Sequence, residues 1–451
     1  MEHLGKRENT VRYQEVELLA IGAGPSSLAL AVAVEELART ELAGDTLIVE
    51  QQDDVVWQRG MLMPWTQSQV SFLKDLVTLR NPRSAFTFVN YLHSVGRLDQ
   101  FINLGSFTPY RMEISGYLGW VARSLPNVRI EYGRRCVSVR PFGTADGAGE
   151  WIVQLADGGI VVCRHLVIAA GRDAYIPEIF AGIPRELMIH STEFAARIGE
   201  IDPDRTRRIA VIGGAQSAAE MLWTAHQAFP QARCTMVMRS IGLNAYETSR
   251  FTNELFYPSF VDEFHSARPE AREQLLREMH RTNYAGLTPD MLDTLYRAMY
   301  VERLTGAERI EMIPMVDVTA AELDGREVVL TLADRKSGRR SQLRSDVLLL
   351  GTGFAKKMPW IVRDMADSVG IDQITVNRSY RMDLPPSFTG TCHLQGVNEA
   401  THGIADSLLS VLSARAEEIV TDLLAHRRAP APFTGVRATR PLAGTTQGAP
   451  R

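Results

Sequence analysis

Residues 16–27 read VELLAIGAGPSS, an apolar run that ends in a glycine-rich turn, and LALAVAVEELART follows at 28–40 with helical spacing. Strand, turn and helix in that order match G-x-G-x-x-(small). The two glycines permit a tight turn and a close backbone approach to a pyrophosphate, which then rests on the helix N-terminus. GDTLIVEQQ at 44–52 reads as the next strand and ends at Glu50, whose carboxylate can accept a hydrogen bond from a ribose hydroxyl. Gly22, Gly24, Pro25 and Glu50 are therefore candidate dinucleotide contacts. The plainer alternative is a glycine-rich turn with no ligand.

A second unit of this kind begins at RRIAVIGGAQSAAEMLWTAHQAF, residues 207–229, with Ile209–Ile212 as strand and a helix after Gly214. Its turn is degenerate, because Ala215 takes the place of the second glycine. The following strand, CTMVMRS, ends at Arg239 where the first unit has an acid. A guanidinium there can pair with a 2′-phosphate, which points to NADP(H) rather than NAD(H), although a solvated strand-end charge would look the same. Gly214, Ala215, Gln216, Ser217 and Arg239 are the candidate contacts. Two dinucleotide units in one chain describe a flavoprotein that holds FAD and is reduced by NADPH. The fold expected is α/β, with two Rossmann-like dinucleotide-binding domains and a smaller, mainly helical substrate-binding region.

The expected organisation is a flexible N-terminus at 1–15 and a first part of the FAD-binding domain at 16–206. An NADPH-binding domain at 207–345 carries a helical insertion at about 242–305. The FAD-binding domain returns with substrate contacts at 346–426, and a Pro, Ala, Gly and Arg-rich disordered tail occupies 427–451. HLVIAAGRDAYIP (165–177) and DVLLLGTGF (346–354) each end a strand in small residues, where the chain could cross between domains. In the insertion, Thr288 reads as an N-cap, Pro289 as the first helical residue and Gly306 as the C-terminal stop.

The bulk composition excludes several classes. With 451 residues, 45% hydrophobic and 23% charged, the chain is ordinary globular protein of more than one domain. A net charge of −4 argues against nucleic acid or an anionic membrane as partner. No apolar run reaches the roughly 20 residues that span a bilayer. The polar start MEHLGKRENTVRYQEVE leads us to expect a cytoplasmic protein. Cys136, Cys163, Cys234 and Cys392 are scattered, without CxxC spacing. This argues against a zinc site or a dithiol redox centre beside the flavin. Oxygen activation is then the remaining large class of flavin chemistry, with the protein supplying binding, orientation and exclusion of water.

One stretch breaks the apolar pattern: SQVSFLKDLVTLRNP, residues 68–82, places Lys74 inside a run that reads as core. That stretch resembles a known family, the microbial N-hydroxylating flavin monooxygenases acting on the terminal amine of ornithine or lysine. The resemblance rests on QVSFLKDLVTLRNPRSAFTFVNYL (69–92), GGAQSAAE (213–220), NELFYPSFVD (253–262), TNYAG (282–286) and THGIADSLLSVLSAR (401–415). LVTLRNPRSAFTF is more similar to the ornithine than to the lysine enzymes.

The resemblance implies an NADPH- and FAD-dependent L-ornithine N5-monooxygenase, with dioxygen activated as a flavin C4a-hydroperoxide. It also implies a homo-oligomer, a homotetramer among relatives, serving siderophore or other peptide natural-product synthesis. Residue by residue, Lys74 would meet the substrate carboxylate, and Asn253, with Glu254, Leu255 and Phe256, the amino-acid end. Leu408 would approach substrate through its backbone, and Asn283 would contact the nicotinamide cofactor beside the reacting amine. Trp57, Gln58, Gln69, Val137, Asp406 and Ser407 take flavin-side positions, with a helix beginning near Gly403 aimed at the ring. Gln58 stands where relatives have histidine, and Ser68 where a methionine commonly packs on the flavin. Simpler readings remain beside these: Lys74 snorkelling to water, Asn253 as a helix cap, and Asn283 as a turn residue. Rival functions are lysine N6-hydroxylation, carbon or sulfur oxygenation (HSTEF at 190–194 matches part of that group's motif) and a non-enzymatic nucleotide sensor.

Overall fold

The computed structural model describes residues 12–144, 147–247 and 249–427, without the side chains of 144, 147, 148 and 281–283. The strand Tyr13–Ile21 lies at the centre of a sheet with Thr46–Val49 and then Arg129–Glu131 on one side and Ile160–Ile168 on the other, all parallel. Beyond Ile160–Ile168 the sheet forks. Its first half pairs antiparallel with Gly147–Leu155, which pairs in turn with Cys136–Thr144. Its second half pairs parallel with Thr391–Leu394, so the chain returns to this sheet after a long excursion.

The expected flexible start at 1–15 needs correcting. Tyr13, Gln14 and Glu15 continue the ladder opposite Ile160–Val162, which satisfies backbone groups that would otherwise be edge. Residues 1–11, and the expected tail beyond Arg427, lie outside the described residues.

Between those passages lies the second sheet, all parallel, in the order Ile310–Ile313, Arg233–Val237, Arg208–Ile212, Val347–Leu350 and Met188–His190. A three-stranded antiparallel sheet of Val316–Asp324, Glu327–Asp334 and Arg340–Ser345 packs beside it. The second sheet therefore takes strands from before 207 and after 345, outside the interval expected. VLLL at 347–350 is buried at every residue and flanked by parallel partners. A short apolar run of that kind carries no mark of the sheet it will join.

The expected crossings are present and lie side by side. Ala174 bridges Phe354, Tyr175 N donates to Gly353 O at 2.9 Å, and Ala355 N donates to Asp173 O at 2.8 Å.

The helix Pro25–Leu37 is buried from Ser27 to Glu35, a helix apolar nearly all round. It is enclosed between the first sheet and the helix Leu412–Ala425. Its one buried acid, Glu35, accepts from Asn127 N and Val128 N, both at 2.7 Å. The insertion is helical as expected: Arg250–Glu254, Pro258–Ser266, Pro269–Asn283 and Pro289–Thr305. In the last of these Thr288 Oγ1 accepts from Met291 N at 3.3 Å, and Gly306 closes the helix at φ +65°.

Candidate functional site

The first turn is built by a glycine that no other residue can replace. Gly22 sits at φ +94°, and a Cβ on it would lie 2.7 Å from Ala169 O. Gly24 precedes the thirteen-residue helix, whose N-terminus has Pro25 in its first turn and no side-chain cap. Open space surrounds the missing Gly24 Cβ. The Ser27 hydroxyl is fully buried there without a hydrogen-bond partner among the described residues. Glu50 closes the turn, with Oε2 accepting from Ala23 N at 2.7 Å and Oε1 from Gln52 N at 2.9 Å. Uncapped amides, room for close approach and a carboxylate one strand away fit the pyrophosphate and ribose of a dinucleotide.

The remaining flavin-side candidates gather around this turn unevenly. Trp57 is half-buried against the first core, with its backbone N donating to Ser115 Oγ at 3.0 Å. Gln58 is exposed and left-handed at φ +50°. Gln69 is exposed, two residues beyond the Gln67–Tyr110 bridge, while Ser68 is buried with its N donating to Pro109 O at 2.8 Å. Val137 is half-buried in the strand Cys136–Thr144.

Asp406 differs from expectation. Its carboxylate is fully enclosed, accepting from Asn398 N at 2.7 Å and from Arg415 Nη1 at 2.8 Å, so only the backbone of its turn can meet a ligand. The expected helix at Gly403 is likewise replaced by 3₁₀ turns at Ile404–Ser407 and Leu409–Val411, with the long helix starting at Leu412. The Asp406 bonds to Asn398 and Arg415 hold the chain in that tighter path. Ser407 is exposed, 3.3 Å from the Tyr284 hydroxyl, which also donates to Glu399 Oε2 at 3.0 Å. Burial, with Glu399 next, pushes the Tyr284 phenol above its ordinary range.

Arg415 was not anticipated, and it matters most here. It is buried with Asp406 at zero side-chain exposure for both, and its Nη2 donates to Ser26 Oγ at 2.8 Å. One guanidinium thus joins the returning segment to the glycine turn. The signal was present: Arg415 lies on the face of Leu412, Ala416, Ile419 and Leu423, a charge at an apolar helical position.

The second turn repeats the first with less glycine. Gly213 lies at φ +141° with its missing Cβ 2.5 Å from Gly351 O, and the uncapped helix Gln216–Ala228 follows Ala215. A Cβ on Gly214 would lie 3.0 Å from Ser240 Oγ and 3.1 Å from Met238 Cβ, so the segment just past the strand Arg233–Val237, which carries exposed Arg239, presses against this turn instead of the strand running on to Arg239. Ser217 is half-buried at the helix start. The Gln216 side chain is engaged internally: Nε2 donates to Glu220 Oε1 at 2.9 Å, and Oε1 accepts from Thr288 N at 2.9 Å. Glu220 forms a buried two-pronged pair with Arg111 of the first half, both bonds at 2.7 Å. That ion pair ties the two halves together, and nothing in the local pattern around Arg111 announced it.

Lys74 is half-buried, and burial lowers the pKa of its ammonium below the ordinary lysine value. Among the described residues no carboxylate lies within ion-pair distance of it. Its Nζ sits 4.3 Å from the centroid of the Tyr257 ring. Its neighbour Asp75 fixes the loop, accepting from Val77 N, Thr78 N, Thr78 Oγ1 and Phe88 N at 2.6–2.9 Å. Tyr257 ends the turn that starts at Asn253, where Phe256 N donates to Asn253 O and Tyr257 N to Glu254 O, both at 3.2 Å. Asn253 is exposed within its short helix, and the cap is Ser249 instead. Glu254 is exposed, Leu255 half-buried and Phe256 buried. Phe256 shares an apolar cluster with Ile404, Ala405 and Val411, against which Leu255 and Leu408 pack. Lys74, the 253–257 turn and Leu408 thus belong to one neighbourhood. Asn283 ends the helix Pro269–Asn283, but its side chain lies outside the described residues. Among the described residues no group of His, Cys, Asp and Glu could hold a metal ion, and no helix is long and apolar enough to cross a membrane.

Known proteins resemble this chain in sequence and fold. Residues 14–356 match the family model described as L-lysine 6-monooxygenase/L-ornithine 5-monooxygenase. An L-ornithine N(5)-monooxygenase from Pseudomonas aeruginosa is 35% identical over 94% of this chain and 96% of its own. The solved ornithine N-hydroxylase of Kutzneria sp. 744, described with reduced FAD, NADP+ and L-ornithine, superposes with a TM-score of 0.85 at 32% identity, over 91% of this chain and 99% of that one. The L-lysine 6-monooxygenase from Pseudomonas syringae follows at a TM-score of 0.81 and 28% identity, over 92% and 100%. The chain belongs to the L-lysine 6-monooxygenase/L-ornithine 5-monooxygenase family.

Proposed function

We propose that this protein hydroxylates the terminal amine of L-ornithine, using FAD, NADPH and dioxygen. One observation carries the choice of substrate end: a half-buried ammonium, Lys74, with no carboxylate within ion-pair distance among the described residues, beside the turn that carries Asn253 and an apolar shelf. An α-carboxylate supplies the missing anion through a charge-assisted hydrogen bond, and the Asn253 amide can serve both ends of the α-amino acid.

The chain's residues have four tasks. The Gly22–Gly24 turn and its uncapped helix hold the FAD pyrophosphate, and Glu50 takes a ribose hydroxyl. The Gly213–Ala215 turn holds NADPH through backbone groups, since the Gln216 amide is already engaged, and Arg239 meets the 2′-phosphate. Lys74 and Asn253 hold the substrate by its α-carbon end. Phe256, Leu255 and Leu408 offer its methylenes an apolar wall, which favours the uncharged form of the δ-amine by withholding water from the ammonium. When bound, FAD reduced by NADPH supplies the activated dioxygen from which one oxygen atom passes to that amine.

Two variants test the cofactor assignments. Gly22→Ala forces a side chain into a left-handed backbone against Ala169 O, and flavin content per mole of protein should fall by roughly tenfold or more. Arg239→Gln should raise KM for NADPH by about tenfold and leave KM for NADH unchanged. The substrate is tested by comparing kcat/KM for L-ornithine and L-lysine. Ornithine should be favoured, whereas preference for lysine would reassign the substrate within the family, since one methylene is worth only ~1–3 kcal/mol.

A further inference from the structure

The Lys74 ammonium needs something to fix it. Its backbone is fixed: Lys74 N donates to Ser71 O at 2.9 Å, and Asp75 next to it accepts four hydrogen bonds. Its head is carried on a flexible four-carbon stem, with no carboxylate within ion-pair distance among the described residues. The described contact on that head is the face of Tyr257, 4.3 Å from ring centroid to Nζ. The backbone of Tyr257 is itself held, as the extended N-cap of the helix Pro258–Ser266 with Pro258 in the first turn, and the residue is 38% exposed. A cation over an aromatic face at this distance is attracted by the ring quadrupole, more strongly where water is partly excluded.

We propose that Tyr257 is a positioning residue of this site, whose ring face fixes the Lys74 ammonium and thereby sets the length of diamino acid the site accepts. The inference rests on the proposed function, in which Lys74 anchors the substrate carboxylate. The distance from that anchor to the reaction point then fixes which terminal amine arrives in place. A lysine head free to swing by about the length of one methylene would accept the longer homologue. Tyr257 touches neither cofactor nor reacting atoms in this account, and it acts through Lys74.

The test compares Tyr257→Phe, which keeps the ring face, with Tyr257→Leu, which keeps apolar bulk but loses it. FAD-loaded enzymes are titrated calorimetrically with L-ornithine and assayed with ornithine and lysine. FAD content and ornithine-independent NADPH oxidation serve as checks on folding. Tyr257→Leu should weaken ornithine binding and raise its KM by about three- to tenfold. It should also lower the ornithine-to-lysine ratio of kcat/KM by a similar factor, with Tyr257→Phe at wild-type values in both. A leucine variant in which either quantity stays at the wild-type value overturns the proposal, as does a phenylalanine variant impaired as much as the leucine one. If the wild-type enzyme fails to hydroxylate ornithine, the underlying function is overturned instead, and this inference with it.

Discussion

Lys74→Met should abolish productive hydroxylation while leaving FAD bound. Methionine fills much of the same space without charge, so the apolar surroundings of Phe72, Leu76 and Leu409 stay packed. What is lost is a charge-assisted contact to the substrate carboxylate in a partly desolvated site. That contact is worth about 2–4 kcal/mol, or roughly 30- to 1,000-fold in kcat/KM for ornithine. NADPH oxidation should continue but run to hydrogen peroxide instead of hydroxylated amine. Parallel loss of flavin would mean that Lys74 serves the cofactor.

The same residue gives a pH signature. Burial lowers the Lys74 pKa, so its positive charge is present below that value and lost as pH rises through it. KM for ornithine should therefore climb on the alkaline side, starting below the ordinary lysine range. The δ-amine, in contrast, becomes more reactive as it deprotonates. The expected profile is kcat rising with pH while KM worsens, and Lys74→Met should lose the alkaline rise in KM.

The second large effect is structural. Arg415→Met leaves the fully buried Asp406 carboxylate without its cation and frees Ser26 from its bond at the glycine turn. Breaking a buried pair by removing one partner costs about 3–5 kcal/mol. The variant should melt several degrees lower and hold FAD more weakly. Removing both charges, as Arg415→Met with Asp406→Leu, should restore part of the melting temperature, because apolar groups replace a desolvated pair while Asn398 N loses its acceptor. Flavin affinity should recover less, since the Ser26 bond stays broken. A double variant as unstable as the single one would show that the pair is not the source of the loss.

Both residues bear on what a sequence discloses. Lys74 stood out because an ammonium interrupts an apolar run. Arg415 interrupts the apolar face of its helix in the same way, but that charge is satisfied within the protein, and the pattern does not say whether the partner is internal or a ligand. The glycine turns were legible because Gly22 and Gly213 occupy backbone conformations that other residues rarely adopt. Glu50 directly follows its strand as the pattern led us to expect, whereas the second strand ends at Val237, two residues before Arg239. The sheet that receives Val347–Leu350 was not legible, because short fully apolar strands look alike wherever they are buried. The enclosed carboxylate of Asp406, the engaged amide of Gln216 and the Arg111–Glu220 pair were not legible either. The Arg111–Glu220 pair and the Gln216–Thr288 bond join residues far apart in sequence, while the partners of Asp406, eight and nine residues away, meet it only because the chain takes tight 3₁₀ turns there. Tyr257 sat inside a recognised stretch, yet its ring acquires meaning only from the loop that carries Lys74.

The proposed reaction transfers one oxygen atom from dioxygen to the terminal nitrogen of ornithine. The most direct measurement is mass spectrometry of the amino acid after turnover of FAD-loaded enzyme with NADPH under isotopically heavy dioxygen. One heavy oxygen on N5 of ornithine, in an amount that accounts for most of the NADPH consumed, is the predicted result. NADPH consumed with no oxygen on the side-chain nitrogen, or oxygen found on carbon or sulfur of another substrate, would contradict it.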